Sequence, residues 1–233
     1  MSSFVTECPY CGTRLRKRAP KLEAVDLSDA GRPRRVRSPR LPRLHPGEIP
    51  GIRADPTHRP VVSIALAIAC AGGAIAAAVF DLSEVAVLGT PDGEWWRVAT
   101  APFFCDDLWY AAACVLAIAL FGGLLERAHG ALAPLLLFVF GGIGGIAAAA
   151  ALETVPFAAG ANGAALAMTA AWVMGPLRDL RAGREPAGDI IGAGVFAAVL
   201  LLMPLAVEEA SATAGAVGLL VGIVVGALLA RRR

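Results

Sequence analysis

Apolar residues fall into six long runs along the chain, and short polar or charged connections separate the runs. A helix of about 20 apolar residues, rising about 1.5 Å per residue, crosses the roughly 30 Å of hydrocarbon in a bilayer. The runs therefore predict six membrane-spanning helices in an all-α membrane protein. The predicted spans are 60–80, 108–125, 131–152, 160–177, 188–207 and 213–230.

Small residues recur at four-residue spacing in two of these spans. Gly141 and Gly145 lie in the third span, and Gly218, Gly222 and Gly226 lie on one face of the last. Such residues let helix backbones approach closely, which matters in a membrane because lipid supplies no hydrophobic drive for helix association. We predict a compact bundle in which the last helix packs against the fourth.

A polar N-terminal stretch precedes the spans and divides into two parts. Residues 1–18 contain a Cys-x-x-Cys-Gly pattern, whereas residues 19–59 are rich in arginine and proline. The second part is too charged and too poor in large apolar residues to offset the entropy of ordering, so we expect a disordered basic linker. The predicted organisation is a zinc-knuckle-like cytosolic segment (1–18), this linker (19–59) and a six-helix membrane domain (60–233).

The overall composition supports the membrane assignment. Hydrophobic residues make up 57% of the chain, against about 45–50% in soluble domains. The N-terminal stretch has no apolar segment of the kind that a secretory signal peptide requires, so we expect the tail to stay in the cytosol.

Basic residues predict the orientation, because cytoplasmic connections carry an excess of Lys and Arg. Connections on the tail's side contain Arg127, three arginines within 178–184 and the triplet 231–233, whereas Arg97 is the one basic residue on the other side. We therefore expect both termini in the cytoplasm and an integral, multi-pass protein of the plasma (inner) membrane.

Several motifs within the spans resemble those of a known family. Residues 93–104 include the pair Trp96-Arg97, residues 121–130 read Phe-Gly-Gly-Leu-Leu-Glu-Arg-Ala-His-Gly, and a Gly-Ala-Asn-Gly turn occupies 160–163. Together with the glycines of the last span, these features resemble the framework of rhomboid intramembrane serine proteases over residues 60–230. The resemblance implies a six-helix rhomboid-like bundle in which Trp96 and Arg97 help to hold the first loop in the membrane face.

The resemblance also places that family's catalytic positions on this chain. Its serine nucleophile, in a Gly-x-Ser-Gly turn, corresponds to Asn162, and its histidine base, three residues before Gly218, corresponds to Gly215. The His and Asn that help to hold the oxyanion correspond to Tyr110 and Cys114. All four positions are substituted, which predicts a pseudoprotease.

The remaining side chains offer no simple replacement for the catalytic dyad. The histidines are His45 and His58 in the tail and His129 after the second span, whereas a nucleophile needs its base within about 2.6–3.2 Å. A Cys114 thiolate next to Tyr110 is disfavoured in an apolar helix that supplies no cation.

Asn162 allows two interpretations. An asparagine at a helix start is a good N-terminal cap, which would make its role structural. Alternatively, its amide would hydrogen-bond to the unwound backbone of a bound transmembrane segment, in a cavity lined by Tyr110 and Cys114. Such bonds inside a membrane contribute about 1 kcal/mol each.

Cys8 and Cys11 have the spacing of a zinc knuckle, in which a turn presents two thiolates to one ion. Zinc binding there would need His45, His58 or a second protomer to complete four ligands, and the alternative is a degenerate half of a zinc ribbon. The basic linker would lie on anionic lipid or remain a solvated connection. Nucleic acid is not an expected partner, because the run has few aromatic residues.

The leading hypothesis is a catalytically inactive, rhomboid-like membrane protein that binds transmembrane segments of client proteins, as inactive rhomboid relatives do. One alternative is a rhomboid intramembrane protease with unorthodox catalytic residues. Another is a small transporter, which is disfavoured because the spans are nearly free of ionisable residues. The sequence leaves the client and the oligomeric state open.

Overall fold

The first predicted span is also where the described part of the chain begins. A computed structural model describes residues 59–77, 79, 87–88, 95–153, 157–184, 186 and 188–231. These residues belong to one compact unit, Asp55–Arg233. The predictions for the tail, which include zinc at Cys8 and Cys11 and the basic linker 19–59, lie outside the described residues.

Helices account for most of this part of the chain. The elements follow in the order α1 (Val61–Ala77), β1 (Val87–Leu88), α2 (Trp96–Thr100), α3 (Leu108–Ala117), α4 (Gly123–His129), α5 (Leu132–Leu137), α6 (Gly144–Leu152), β2 (Phe157–Ala158), α7 (Asn162–Arg181), α8 (Ile190–Leu202) and α9 (Ala212–Arg231). One π-helical segment, Ile118–Gly122, joins α3 to α4, and another, Phe138–Ile143, joins α5 to α6. β1 and β2 pair antiparallel.

Three helices within the described ranges are long and apolar enough to cross a membrane, and two more are apolar but shorter. The long ones are Leu108–His129, Leu132–Leu152 and Ala212–Arg231, and the shorter ones are Val61–Ala77 and Ile190–Leu205. The predicted helical architecture with apolar spans is therefore confirmed, and the short antiparallel pair of β1 and β2 is an addition that the sequence did not predict. The count of six spans stays a prediction.

Side-chain caps fix where several helices begin. The Asp107 carboxylate accepts a hydrogen bond from the N–H of Tyr110 at 2.7 Å, and the Asp189 carboxylate does the same for Gly192 at 2.9 Å. Ser211 accepts from Ala214 at the start of α9. Each cap satisfies an N–H that the first turn of a helix leaves without a partner, which sets the start of α3, α8 and α9.

Helix α7 runs through the centre of the bundle. Its first ten residues, 162–171, are all buried. The Thr169 hydroxyl lies within this stretch and donates to the carbonyl of Ala165 at 2.8 Å, which satisfies a polar group without a partner from another helix. The start of α7 is therefore enclosed by protein on all sides.

The glycines of α9 lie directly against the backbone of α7. A Cβ on Gly218 would overlap the carbonyl of Gly163, and a Cβ on Gly226 would lie 2.6 Å from the carbonyl oxygen of Ala171. Real Cβ atoms do not approach backbone this closely, so each position requires glycine. The predicted packing of the last helix against the fourth is confirmed.

A buried carboxylate ties the first helix to the second span. Glu126, in α4, accepts hydrogen bonds from the N–H of Val62 at 3.0 Å and from both the N–H and the hydroxyl of Ser63 at 2.7 Å. An acceptor at this place caps the N-terminus of α1 and complements its dipole. Glu126 therefore fixes the position of the N-terminus of α1 relative to α4.

The outer surface of the bundle is apolar. Ile68 and Ile75 on α1 are 65% and 66% exposed, and Ile191 on α8 is 81% exposed. Large apolar side chains exposed in this number mark a surface that another apolar phase covers. The surface is suited to lipid.

Candidate functional site

The turn before α7 forms the floor of the candidate site. Gly160 adopts a positive φ of 81° and packs against the ring of Tyr110. A side chain at this position would be strained by the backbone conformation and would also overlap the ring. The N–H of Gly160 donates to the carbonyl of Ala101 at 2.9 Å, so the turn is joined to the end of α2.

Asn162 is the first residue of α7, and its side chain does not cap the helix. The N-cap is Ala161, which has φ −94° and ψ 20° instead of the extended conformation that usually precedes a helix. The capping interpretation of Asn162 is therefore wrong. The physical reason is that the turn places the residue one position too far into the helix for its amide to reach the orphan N–H groups.

The side-chain amide of Asn162 is buried and makes no hydrogen bond with any described residue. Only 2% of the residue is exposed, and among the described residues no group hydrogen-bonds to its Oδ1 or Nδ2. A buried polar group without a partner costs about 1–3 kcal/mol. An uncompensated amide in the centre of the bundle is therefore a strong functional candidate.

Gly215 faces this amide from α9. A Cβ at residue 215 would lie 3.2 Å from Nδ2 of Asn162 and 3.2 Å from Cδ1 of Leu166. The two positions that the sequence resemblance assigned to a nucleophile and its base therefore meet across the contact between α7 and α9. Neither residue supplies a group that can remove a proton.

Tyr110 and Cys114 are the other two substituted positions, and with Asn162 and Gly215 they make a group of four. The Tyr110 hydroxyl donates to the carbonyl of Ala159 at 3.0 Å and lies close to the backbone of Asn162. The Cys114 thiol lies beside that hydroxyl and beside the backbone of Ala161. Tyr110 is 1% exposed and Cys114 is 2% exposed. The structure therefore brings together all four substituted positions and buries them.

Two residues that sequence reasoning missed, Cys105 and Glu209, lie at the same end of the bundle. The Glu209 carboxylate accepts from the N–H of Asp106 at 2.9 Å, and its backbone carbonyl accepts from the N–H of Ala159 at 3.1 Å. The loop before α9 is thus joined to the two segments that flank Tyr110. No spacing signals this contact, because Glu209 and Asp106 are 103 positions apart.

Burial and nearby negative charge raise the pKa of both groups. Burial, together with the nearby charge of Glu209, raises the pKa of the Cys105 thiol to about 12. A thiol with that pKa is almost entirely protonated at neutral pH and is not a nucleophile. Burial, with the charges of Asp106 and Asp107, raises the pKa of Glu209 above its ordinary value.

A second contact closes the same end. The Ser211 hydroxyl donates to the Glu153 carboxylate at 2.7 Å, which joins the end of α6 to the start of α9. Since the Glu209 and Ser211 contacts come from one loop, that loop covers the end of the bundle where Asn162 lies. A partner reaching Asn162 from this side must displace it.

Trp96 and Arg97 lie on α2 and not in the group of four. The Arg97 guanidinium lies 5.5 Å from the centroid of the Trp96 ring, and Trp96 is 53% exposed. This arrangement is a cation–π contact at the surface. The pair is joined to the site through the backbone, since Ala101 follows α2 and accepts from Gly160.

His129 lies at the opposite end of α7 from Asn162. It lines a cavity together with Pro176 and Asp179, and Asp179 is 17 positions beyond Asn162, or about 25 Å along a helix. As the sequence indicated, His129 cannot act as a base at Asn162. Within the described ranges, no cluster of three or more His, Cys, Asp or Glu residues is arranged to hold a metal ion.

The sequence of this chain is similar to a known protein family. The sequence matches the Rhomboid domain over residues 92–232, which is more than half of the chain and includes α2 to α9. No curated protein matches the chain significantly. The chain belongs to the rhomboid family.

Proposed function

We propose that this protein is a catalytically inactive member of the rhomboid family that binds transmembrane segments of client membrane proteins through Asn162. One observation carries the proposal. The Asn162 amide is buried, faces the open side of Gly215, and has no hydrogen-bond partner among the described residues.

Proteolysis is disfavoured by the composition of the site. A nucleophile must lie within about 2.6–3.2 Å of its base, and Gly215 has no side chain to serve as one. The Tyr110 hydroxyl is engaged with the carbonyl of Ala159. The pocket that would hold an oxyanion is also occupied, because the Tyr110 ring packs on Gly160.

Binding of a peptide backbone suits the chemistry of Asn162. A transmembrane segment that unwinds in hydrocarbon exposes N–H and C=O groups that lipid cannot satisfy. A side-chain amide offers two donors and an acceptor to such a segment. Binding then gives hydrogen bonds to both partners, because each carries a polar group that has no hydrogen-bond partner when alone.

Access to Asn162 requires the bundle to open at this end. The loop that carries Glu209 and Ser211 is held by the contacts with Asp106 and Glu153. Helix α8 ends just before this loop, and Leu201 and Leu202 at that end are exposed. We propose that a client enters when this loop is displaced.

The proposal is tested by photo-crosslinking of the full-length protein in its native membrane. A diazirine analogue of leucine replaces Leu166, which is buried beside Gly215 and leaves Asn162 intact, and a matched control carries it at Ile191, which is 81% exposed on α8. We expect adducts to one or a few membrane proteins at position 166 and lipid adducts at position 191. Lipid adducts alone at both positions would overturn the proposal.

The proposal also includes the membrane topology and the tail. All six helices would cross the membrane with both termini in the cytoplasm, and Cys8 and Cys11 would bind zinc. Reporter fusions after residues 59, 130 and 233 test the topology, and each should report a cytoplasmic location. Metal analysis of the purified chain and a Cys8→Ala variant tests the zinc, which should be lost in the variant.

A further inference from the structure

Two adjoining cavities lie at the other end of α7, where it approaches α4 and α9. The first has a volume of about 100 Å³, and its apolar walls include Leu124, Trp172 and Leu229. The second has a volume of about 290 Å³ and is lined by Gly175, Arg178, Asp179, Arg184 and Ala230. Gly175, Asp179 and Ala230 line both. The cavities are therefore neighbours, and we treat them as one candidate site with a mainly apolar part and a charged part.

The sequence explains why space is left here. α7 and α9 touch at Gly226, where a Cβ would lie 2.6 Å from the backbone of Ala171. Beyond that contact, towards the C-terminal end of α7, the cavity is lined by the small residues Ala128, Gly175 and Ala230. Their side chains are too short to fill the gap between the helices. Pro176 lies within α7 and has no N–H, so it leaves the carbonyl of Trp172 without its usual helical donor.

Two arginines are held at the rim of the charged part. Arg184 donates from Nε at 3.1 Å and from Nη2 at 2.5 Å to the Asp179 carboxylate. Arg178 donates from Nη1 to the carbonyl of Ala230, near the C-terminal end of α9. These bonds use three of the ten N–H donors that two guanidinium groups carry. Both groups are thus positioned while retaining donors for a ligand.

We propose that this site binds an anionic phospholipid. Its phosphate would lie between Arg178 and Arg184, since a planar guanidinium matches the oxygens of a phosphate. The adjacent part of an acyl chain would lie against Leu124, Trp172 and Leu229. The apolar part is the reason to assign a lipid instead of a soluble phosphate, because a small anion would leave that part unfilled.

Lipid binding to the purified full-length protein tests the proposal, with native mass spectrometry as the measurement. Dioleoyl phosphatidylglycerol is compared with dioleoyl phosphatidylcholine, and soluble sn-glycerol 3-phosphate is the competitor. We expect phosphatidylglycerol to bind preferentially and the soluble phosphate not to displace it. The variant Arg178→Gln combined with Arg184→Gln should weaken phosphatidylglycerol binding about tenfold or more, because charge-assisted hydrogen bonds are lost.

Two further variants separate the site from general effects of charge and folding. Arg181→Gln removes an arginine of the same helix that does not line the cavities, and binding should stay unchanged. Ala128→Leu fills the apolar part without altering charge and should also weaken phosphatidylglycerol binding. Equal binding of both lipids, equal loss in Arg181→Gln, or full displacement by the soluble phosphate would each overturn the lipid assignment.

Discussion

Gly215 presents the open side of its Cα to the side-chain amide of Asn162, so that a Cβ at residue 215 would lie 3.2 Å from Nδ2. Small residues on α9 let the two helices approach this closely, and the approach seals the amide from both lipid and water. Among the described residues nothing hydrogen-bonds to that amide. The pair therefore combines tight packing with a polar group that has no hydrogen-bond partner. A substitution at Asn162 should raise the stability of the protein and weaken client binding.

Replacing Asn162 with leucine should stabilise the protein. Leucine has a similar shape and removes a buried amide that has no partner among the described residues, so we expect the free energy of unfolding to rise by about 1–3 kcal/mol. Unfolding of the purified protein in mixed micelles measures this change. If the amide serves client binding, the same variant should also lose the clients identified by crosslinking through position 166, which a co-purification from membranes would show.

Thr169→Val is the matched control for that substitution. Thr169 is equally buried in α7, but its hydroxyl donates to the carbonyl of Ala165 at 2.8 Å. Removing a satisfied hydroxyl should leave stability nearly unchanged or lower it by about 1 kcal/mol. Opposite signs for the two variants would support the unmet amide, whereas a loss of stability in Asn162→Leu would show that the amide has a partner.

Restoring the dyad should not restore proteolysis. In the double variant Asn162→Ser and Gly215→His, the histidine ring must enter a space where even a Cβ lies 3.2 Å from Leu166. Tyr110 would still occupy the oxyanion side, and the loss of one oxyanion donor alone costs about 100- to 1,000-fold in rate. We expect no cleavage of a rhomboid substrate in liposomes above that of the unchanged protein. Cleavage that depends on both substitutions would contradict this interpretation.

The helix packing could be predicted from motifs within single helices, and the meeting of Asn162 with Gly215 was implied by the resemblance to rhomboid proteases. Glycines spaced by four show which face touches another backbone, and the Gly-Ala-Asn-Gly turn shows where α7 begins. The failure of Asn162 to cap could not be predicted, since it depends on the φ and ψ of Ala161. The contact of Glu209 with Asp106 joins loops distant in the chain, and no local pattern encodes it.

The contact between α7 and α9 should tolerate no side chain at Gly218. In Gly218→Ala the new Cβ would overlap the carbonyl of Gly163, so the helices must separate, at a cost of about 1–3 kcal/mol. Gly72→Ala is the control, because Gly72 lies in α1 and a Cβ there would meet no neighbouring group within 4 Å. That variant should gain about 0.5–1 kcal/mol from helix propensity. A similar loss in both variants would argue against a specific contact at Gly218.

The loop that covers Asn162 should make stability depend on pH through Glu209. Burial and the charges of Asp106 and Asp107 raise the pKa of Glu209 above its ordinary value of 4.5. The folded protein therefore holds this proton more tightly than the unfolded chain. For this group stability is greatest below pH 4.5 and falls as the pH rises through the folded-state pKa.

Glu209→Gln tests this dependence, since glutamine keeps an acceptor for the N–H of Asp106 and carries no charge. We expect the variant to melt at a higher temperature than the unchanged protein at pH 7, and the difference to shrink as the pH approaches 4.5. Glu208→Gln is the control, because Glu208 is the neighbouring carboxylate in the same loop and does not accept from Asp106 in the contact described. A tighter loop should also lower crosslinking through position 166 at pH 7, because a client must displace the loop. Equal melting profiles for Glu209→Gln and Glu208→Gln would show that the contact with Asp106 does not control the loop.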